Sequence, residues 1–364
     1  MCASAVNAQP CVIAGFTFVS DAGDTMSVHA GIAPGASPGI DVAMGEMEIP
    51  PPPPTGVFDV RLLDPDTLRR ALGEGAWLDV RDGDPAATAT THHLLLCRAG
   101  AAMRGTVHWN LPSNVVAVLT VHDAAAPCSI IATGTGSAPV EAALPCAVIQ
   151  IAMHYNSRLL TIRVLLEGAF DVRTNLMRTS LLDRGVLGGH FAGAQIPARA
   201  VDSIGIELRD SIGDASSVQR ITRPAWVLAD GTVCPFVSPF DSPLLVPDPL
   251  NRAMYLAIHH RNHLTAVCAE PIPAGIPAAE RDFTSGPAMY AGGNAALLAP
   301  GIWGLIAGDA NGDNRIGIRD HSTIRAGIGK NRTYDPQDVN LNGGIGAVDL
   351  ALVRRAIGSP LKEP

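Results

Sequence analysis

Two stretches near the C-terminal end carry the residue types and spacing of cation-binding loops. Residues 309–320 read DANGDNRIGIRD and residues 338–349 read DVNLNGGIGAVD, internal repeats 29 residues apart. Asp309, Asn311, Asp313 and Asp320 occupy loop positions 1, 3, 5 and 12, and Asp338, Asn340, Asn342 and Asp349 repeat them. Calcium takes six to eight oxygens at about 2.3–2.6 Å, and a tight loop turns alternate side chains inward to supply them. Position 7 gives a backbone carbonyl, here from Arg315 and Gly344. Position 6 needs a left-handed backbone, which Gly343 adopts freely and Asn314 tolerates better than most residue types. The reading is two Ca²⁺ ions, one per loop.

The elements that must position these loops are short helices. RDHSTIRAGIG and VDLALVRRAIG follow the two loops, with Ile324 and Ile328 on one face of the first helix and Leu350, Val353 and Ile357 on one face of the second. Ile316 and Ile345, both at position 8, are placed to join the loops through an apolar contact.

Upstream the pattern is mostly strand. Segments such as CVIAGFTFV, VVAVLTVHD, AVIQIAMHY, LLTIRVLLEG, SIGIELRD and MYLAIHHRNHLTAV are short, apolar and β-branched, with Gly, Pro, Asp and Asn between them. Helices are expected only at Asp66–Gly73 and Leu176–Leu182, and Pro50–Pro54 must be extended and outside any sheet. The fold class that follows is mainly β: two β-sandwich-like domains, then a small α-helical module of paired calcium loops. The expected divisions are a signal-peptide remnant at 1–10, a sandwich at 11–125, a linker at 126–145, a second β-rich domain at 146–300 and the loop module at 303–364. Val6-Asn7-Ala8 before Gln9 has the small residues of a signal-peptide cleavage site.

Composition bounds the partners. Hydrophobic residues make up 47% and charged residues 16%, which suits buried cores, and a net charge of −8 with no basic face gives no reason to expect nucleic acid. No apolar run has the length of a membrane-spanning helix. The seven cysteines include no C-x-x-C pair, so structural zinc is disfavoured, while a disulfide such as Cys128 with Cys146 is tolerated by the spacing.

Other chemistry fails on a missing neighbour. On a continuous strand His259 and His263 share a face about 13 Å apart, at roughly 3.3 Å per residue, while His260 points away. One metal cannot bridge that span without a sharp bend, and the favoured role of this His-Arg-Asn segment is to tie loops by hydrogen bonds. Gly35-Ala36-Ser37-Pro38-Gly39 fits a nucleophile elbow in letters, but Pro38 lacks the N–H that an oxyanion hole takes from the residue after the serine. Glu46 and Glu48 have the separation of paired glycosidase carboxylates, about 7 Å, yet the adjoining Pro run indicates an edge rather than a cleft floor. No catalytic residue is assigned. Aromatic residues are only 4% of the chain, which leaves Trp77, Trp109, Trp226 and Trp303 as the candidates for a sugar-binding platform, with core packing favoured for most.

The loops and their helices resemble a dockerin domain over Gly308–Gly358. That likeness rests on Asp at position 12 of both loops and on the lack of an entering helix. Dockerins are secreted or surface modules that bind cohesins, which implies a cohesin-like or other surface protein as partner, or self-association. It also implies docking at the helix starts: Ile318, Arg319, Ala347 and Val348. These positions are often Ser-Thr in cellulosomal dockerins, so cellulosome membership does not carry over. Residues 25–61 and the segments 159–171, 201–210 and 256–267 resemble recurrent units of large secreted bacterial surface proteins, with Ser203 where that pattern has Trp. The resulting expectation is a non-catalytic, secreted or cell-surface bacterial protein that assembles through a calcium-dependent module. The alternatives are a tethered carbohydrate-active or other hydrolytic enzyme and a glycan-binding protein.

Loop one offers three carboxylates, Asp309, Asp313 and Asp320, whereas loop two offers Asp338 and Asp349, with Asn342 at position 5. Affinity rises with ligand charge. In a chelator titration loop two is therefore expected to empty first, and Asp313→Asn should bring the two affinities together.

Overall fold

The computed structural model describes residues 11–357 except 55, 65–70, 99–102, 123–127, 143–145, 214–219, 238–239, 241–242 and 249–251. It is mainly β and forms two compact units, Met1–Arg158 with Pro247–Asn251, and Leu159–Val246 with Arg252–Pro364. The N-terminal remnant at 1–10 and most of the helix expected at Asp66–Gly73 lie outside the described residues.

Among the described residues the first unit contains ten strands: β1 Val12–Ser20, β2 Thr25–Ala33, β3 Asp59–Leu63, β4 Leu78–Asp82, β5 Ala89–Arg98, β6 Met103–Asn110, β7 Val115–His122, β8 Cys128–Thr133, β9 Thr135–Ala142 and β10 Cys146–Tyr155. They form two five-stranded sheets, β4-β2-β1-β6-β9 and β3-β5-β10-β7-β8, with every pairing antiparallel except β2 with β4. Alternation explains the core. Ala14, Phe16 and Phe18 of β1 and Val115, Ala117, Leu119 and Val121 of β7 are buried in one cluster, because side chains two apart share a face. The Pro50–Pro54 run carries no strand.

Two expected divisions differ. The stretch 126–145 contains β8 and β9 rather than a linker, and AVIQIAMHY, read as the start of the second domain, is β10 at the centre of a sheet in the first unit. The reason is position. β8 and β9 are edge strands, which need little apolar surface, so their Ala, Gly, Ser and Thr resemble linker composition.

The second unit has a five-stranded antiparallel sheet in the order Val233–Pro235, Arg220–Leu228, Ala200–Arg209, Tyr255–His260 and His263–Val267. A three-stranded sheet joins Leu244–Pro247, Ser157–Arg163 and Ala278–Asp282. Trp226 is wholly buried in the core of this unit, its ring stacked on Phe236 at 4.8 Å. Trp109 is also buried in its own unit, whereas Trp77 is 48% exposed. The helix expected over Leu176–Leu182 reduces to the strand pair residues Leu176–Met177 and the one-turn helix Ser180–Asp183.

The two loops lead into helices Ile318–Gly327 and Ala347–Ala356. A small core of Ala307, Ile324, Val339, Ile345 and Val353, with Ile316 against it, holds them. Residues 303–357 pack as part of the second unit rather than as a body apart. Ile328 and Ile357 do not continue the helical faces. Each follows the last helical residue with an extended backbone, and they are 51% and 38% exposed.

Cys234 and Cys268 are buried thiols, and the side chains of Cys128 and Cys146 lie outside the described residues.

In the first unit Arg158 and Asp248 form an ion pair with side chains only 2% and 4% exposed. Removing one partner leaves a buried charge uncompensated, which costs about 3–5 kcal/mol. Asp248→Ala should therefore lower stability by that order in urea denaturation, while the double change Arg158→Met with Asp248→Leu should recover most of it.

Candidate cation-binding site

The two loops fold with the same hydrogen bonds. At position 1, Asp309 accepts the N–H groups of Asp313 (3.0 Å) and Asn314 (2.8 Å), and Asp338 accepts those of Asn342 (3.0 Å) and Gly343 (2.7 Å). At position 3, Asn311 and Asn340 each accept the N–H of position 5. At position 5, Asp313 and Asn342 each accept the N–H of position 7. At position 12, Asp320 accepts from Asn311 and Gly317, and Asp349 from Asn340 and Gly346. The bonds to Gly317 and Gly346 also cap the helices, with the third helical residue reaching back to the residue before the first. Asn314 and Gly343 are left-handed, with φ of 59° and 80°. So are Gly312 and Leu341 at position 4, with φ of 74° and 56°, a requirement that the sequence pattern did not reveal.

Asp309, Asp320, Asp338 and Asp349 are buried, while Asp313 is exposed. Burial pushes the Asp309 carboxyl up to about 6, against the Asn314 N–H and with help from the neighbouring Asp320 and Asp313. Burial likewise pushes Asp338 up to about 6, against the Gly343 N–H and Arg261, and it raises Asp349. Each loop thus desolvates carboxylates that a bound cation would neutralise. The donor set is all oxygen, which fits a hard cation such as calcium. A cleft of about 220 Å³ opens on Asn340, Asn342, Gly344 and Asp349 of loop two, with Ala347 and Val348 on its rim. Among the described residues no three His, Cys, Asp or Glu side chains gather as a metal site, so a calcium sphere would draw on amide and backbone oxygens too. Ile316 and Ile345 share the small core, and the Ile345 backbone pairs with Lys330 and Gly329.

The segment MYLAIHHRNHLTAV is not one strand. It is a hairpin that turns at Arg261-Asn262, with His260 paired to His263. The bend that would bring histidines together is therefore present, but their ring nitrogens make hydrogen bonds. His259 meets Glu207 at 2.7 Å and Thr265 at 3.2 Å. The Gly168 N–H donates to Nε2 of His263 at 3.2 Å, which places the His263 proton on Nδ1. That Nδ1 lies 2.9 Å from Nδ1 of His260, whose Nε2 donates to Asp202 at 3.1 Å. The relay needs no charge on either ring. Burial holds His260 below its usual range and His263 well below it, with His260 and Arg261 adding to the effect on His263.

This hairpin grips both loops. The Asn262 carbonyl accepts the N–H groups of Gly308 (2.9 Å) and Asp309 (3.2 Å), where loop one begins. The Asn262 side chain donates to the Asp338 carbonyl at 2.7 Å, where loop two begins. Asn262 is wholly buried. Arg261 donates to the Asp335 carbonyl and to Asp202. Burial raises the Asp202 carboxyl, but Arg261, His260 and Tyr334 outweigh it and hold it at about 2. Tyr334, from the link between the loops, donates to Asp202 at 2.6 Å, lies 3.0 Å from the Ser203 hydroxyl and sits under the Arg261 guanidinium at 4.4 Å. A serine at 203 thus gives Tyr334 a polar partner.

Loop two has further supports. Arg178 donates to the carbonyls of Gly168 (2.8 Å) and Asn340 (3.3 Å), and Arg184 to that of Asn342 (2.5 Å). Glu167 accepts the Ala307 N–H and pairs with Arg355. The three segments noted in the sequence at 159–171, 201–210 and 256–267 therefore meet around the loops. Gly168, Arg178, Arg184 and Tyr334 carry no motif that would have marked them as supports, whereas Asn262 lies in the segment expected to tie loops by hydrogen bonds.

The acidic pair and the serine motif set aside in the sequence make hydrogen bonds within the fold. Glu46 is wholly buried and accepts the N–H groups of Val80 (2.5 Å) and Asp41 (2.6 Å), and Glu48 accepts that of Glu74. The Ser37 hydroxyl bonds to the Gly39 carbonyl. Ile318, Arg319, Ala347 and Val348 are all exposed, Ile318 at 70% and Val348 at 60%.

No family model and no curated protein matches the sequence. Two solved structures show a distant likeness: an N-terminal and a C-terminal interface mutant of a type II cohesin–X-dockerin complex from Acetivibrio cellulolyticus. Each is 13% identical over 56% of this chain, covering 96% and 97% of those chains, with TM-scores of 0.28 and 0.31. Scores this low do not establish a shared fold.

A β-carbon on Gly168 would lie 1.9 Å from the Val339 carbonyl oxygen, backbone that cannot turn aside. Gly168→Ala should cost about 1–3 kcal/mol of stability, the usual range for overpacking. It should also disturb loop two first, read as a loss of amide hydrogen-exchange protection at residues 338–345 before residues 309–316.

Proposed function

We propose that this chain is a non-catalytic, extracellular assembly protein that binds two calcium ions in its paired loops and docks onto a protein partner through its helix starts. The observation that carries the reading is the repeated bonding of the loops. Positions 1, 3, 5 and 12 accept the same backbone N–H groups in both copies. Such bonds fix one side of each oxygen and leave its remaining lone pairs to a shared ion. Asp309, Asn311, Asp313, Asp320 and the Arg315 carbonyl would hold one ion. Asp338, Asn340, Asn342, Asp349 and the Gly344 carbonyl would hold the other.

Partner docking through Ile318, Arg319, Ala347 and Val348 is supported by their exposure at equivalent places in the repeat. Two exposed branched aliphatic side chains at the helix starts suit an apolar contact of the cohesin type or a second copy of the chain. A secreted or surface setting follows from calcium sites of this kind and from the dockerin resemblance. Among the described residues no helix is long and apolar enough to cross a membrane.

Calcium titration of the full chain should give two ions per molecule. The double substitution Ile318→Asp with Val348→Asp should abolish capture of the protein partner while leaving that stoichiometry at two. A stoichiometry of zero would sink the calcium reading, and capture that survives both charges would sink the docking face.

A further inference from the structure

The first unit carries an apolar patch with an acidic border. Met47 and Trp77 are 67% and 48% exposed. The antiparallel bridge between Glu48 and Ala76 sets Met47 across from Trp77, so their side chains share a face. Val42, on the turn just before, is also exposed. Glu48 and Glu74 stand beside the patch, both exposed, with the Glu74 N–H donating to Glu48 Oε1 at 2.9 Å. The border agrees with the charge of the whole unit. It holds 15 Asp and Glu against 7 Lys and Arg, so the entire net charge of −8 lies in it, and the second unit is balanced at 19 of each.

The helix starts of the second unit have the opposite chemistry. Ile318 and Val348 are the exposed apolar centre. The charged residues of the two helices are Arg319, Asp320, Arg325, Asp349, Arg354 and Arg355, and both aspartates are buried in the loops. Arg355 pairs with Glu167. Arg319, Arg325 and Arg354 are exposed, and among the described residues none of them makes an ion pair. Arg325 follows Ile318 by seven residues and Arg354 follows Ala347 by seven, so each shares the face of its helix start. The face is therefore apolar at its centre and basic at its border.

We infer that the partner of the helix starts is a second copy of this chain, which receives them on its Met47–Trp77 patch. Aliphatic side chains meet Trp and Met at the centre, and arginines meet glutamates at the border. Trp, Met and Arg are the residue types that protein contacts favour, and opposite charges around an apolar centre set the register. The contact joins two different surfaces, so each pair keeps one free patch and one free helix face and further copies can add. The inference rests on the docking face of the proposed function and names what that face meets.

Sedimentation of the full chain in calcium, from about 1 to 100 µM to suit a small interface, tests it. The mean mass of the unaltered protein should grow with concentration past that of a dimer. Met47→Asp alone should stay monomeric, and so should Ile318→Asp with Val348→Asp. An equimolar mixture of the two variants should form a one-to-one complex and nothing larger, because each keeps the surface the other has lost. Glu74→Lys should weaken association several-fold. Every altered side chain is exposed, so melting temperatures should not change. The inference is overturned if the unaltered protein stays monomeric, if the mixture stays monomeric, or if Met47→Asp and Glu74→Lys both associate as the unaltered protein does. Binding of phosphatidylglycerol vesicles by a monomeric chain would also overturn it, assigning the arginines to lipid. A monomer that still captures another protein through its helix starts sinks the second copy and leaves the docking face. Oligomers lost with Met47→Asp but kept with Ile318→Asp and Val348→Asp sink the docking face itself.

Discussion

The arrangement of the second unit depends on Asn262. Its backbone carbonyl takes the two N–H groups that open loop one, and its side-chain amide takes the carbonyl that opens loop two. A buried residue that meets both repeats at the same step of each fixes their separation. Aspartate is nearly the same shape but could not donate to the Asp338 carbonyl, and a buried acceptor facing an acceptor costs about 1–3 kcal/mol. The hairpin turn that carries Asn262 is itself held from beneath by Arg261 on Asp202 and by the neutral relay through His260 and His263 to the Gly168 N–H. The loops are thus seated on a polar base in which the carboxylate of Asp202 is matched by the guanidinium of Arg261.

The electrostatics divide between that base and the loops above it. Asp202 stays ionised because its partners outweigh its burial. Asp309 and Asp338 are buried without an equal set of cations, and their carboxyls rise towards about 6. Loop two has cationic neighbours in Arg261, Arg178 and Arg184, the last two donating to the Asn340 and Asn342 carbonyls, while loop one is more open. The two repeats therefore differ in the opposite sense to their carboxylate count. Loop one has more charge to attract an ion, and loop two has more structure holding its backbone in place.

Both position-12 carboxylates serve the helices as well as the loops. Asp320 and Asp349 accept the N–H groups before their helices and those of position 3 in the loops, so each helix start is tied to the geometry of its loop. Ile318, Arg319, Ala347 and Val348 stand one or two residues from these carboxylates and are exposed. A change in the loop backbone would reach the proposed docking face through a single side chain in each repeat.

The sequence by itself determined the local parts: the alternating strands, the two loops with their spacing, the left-handed sixth position at Asn314 and Gly343, and the exposed residues at the helix starts. All of these follow from periods and offsets of a dozen residues or fewer. Edge strands β8 and β9 were read as linker because a strand with one neighbour and little burial needs no apolar signature. The hairpin at Arg261-Asn262 was read as one strand because the turn residues are polar in a segment whose histidines already looked polar. Only the tertiary structure decided that Gly168, Arg178, Arg184 and Tyr334 support the loops, and which loops the tie expected at Asn262 would hold. These contacts join residues from 46 positions apart (Asn262 to Gly308) to 162 (Arg178 to Asn340), and most end on a backbone carbonyl or N–H group. Any residue offers such backbone groups, so no pattern of side-chain types records which ones will meet.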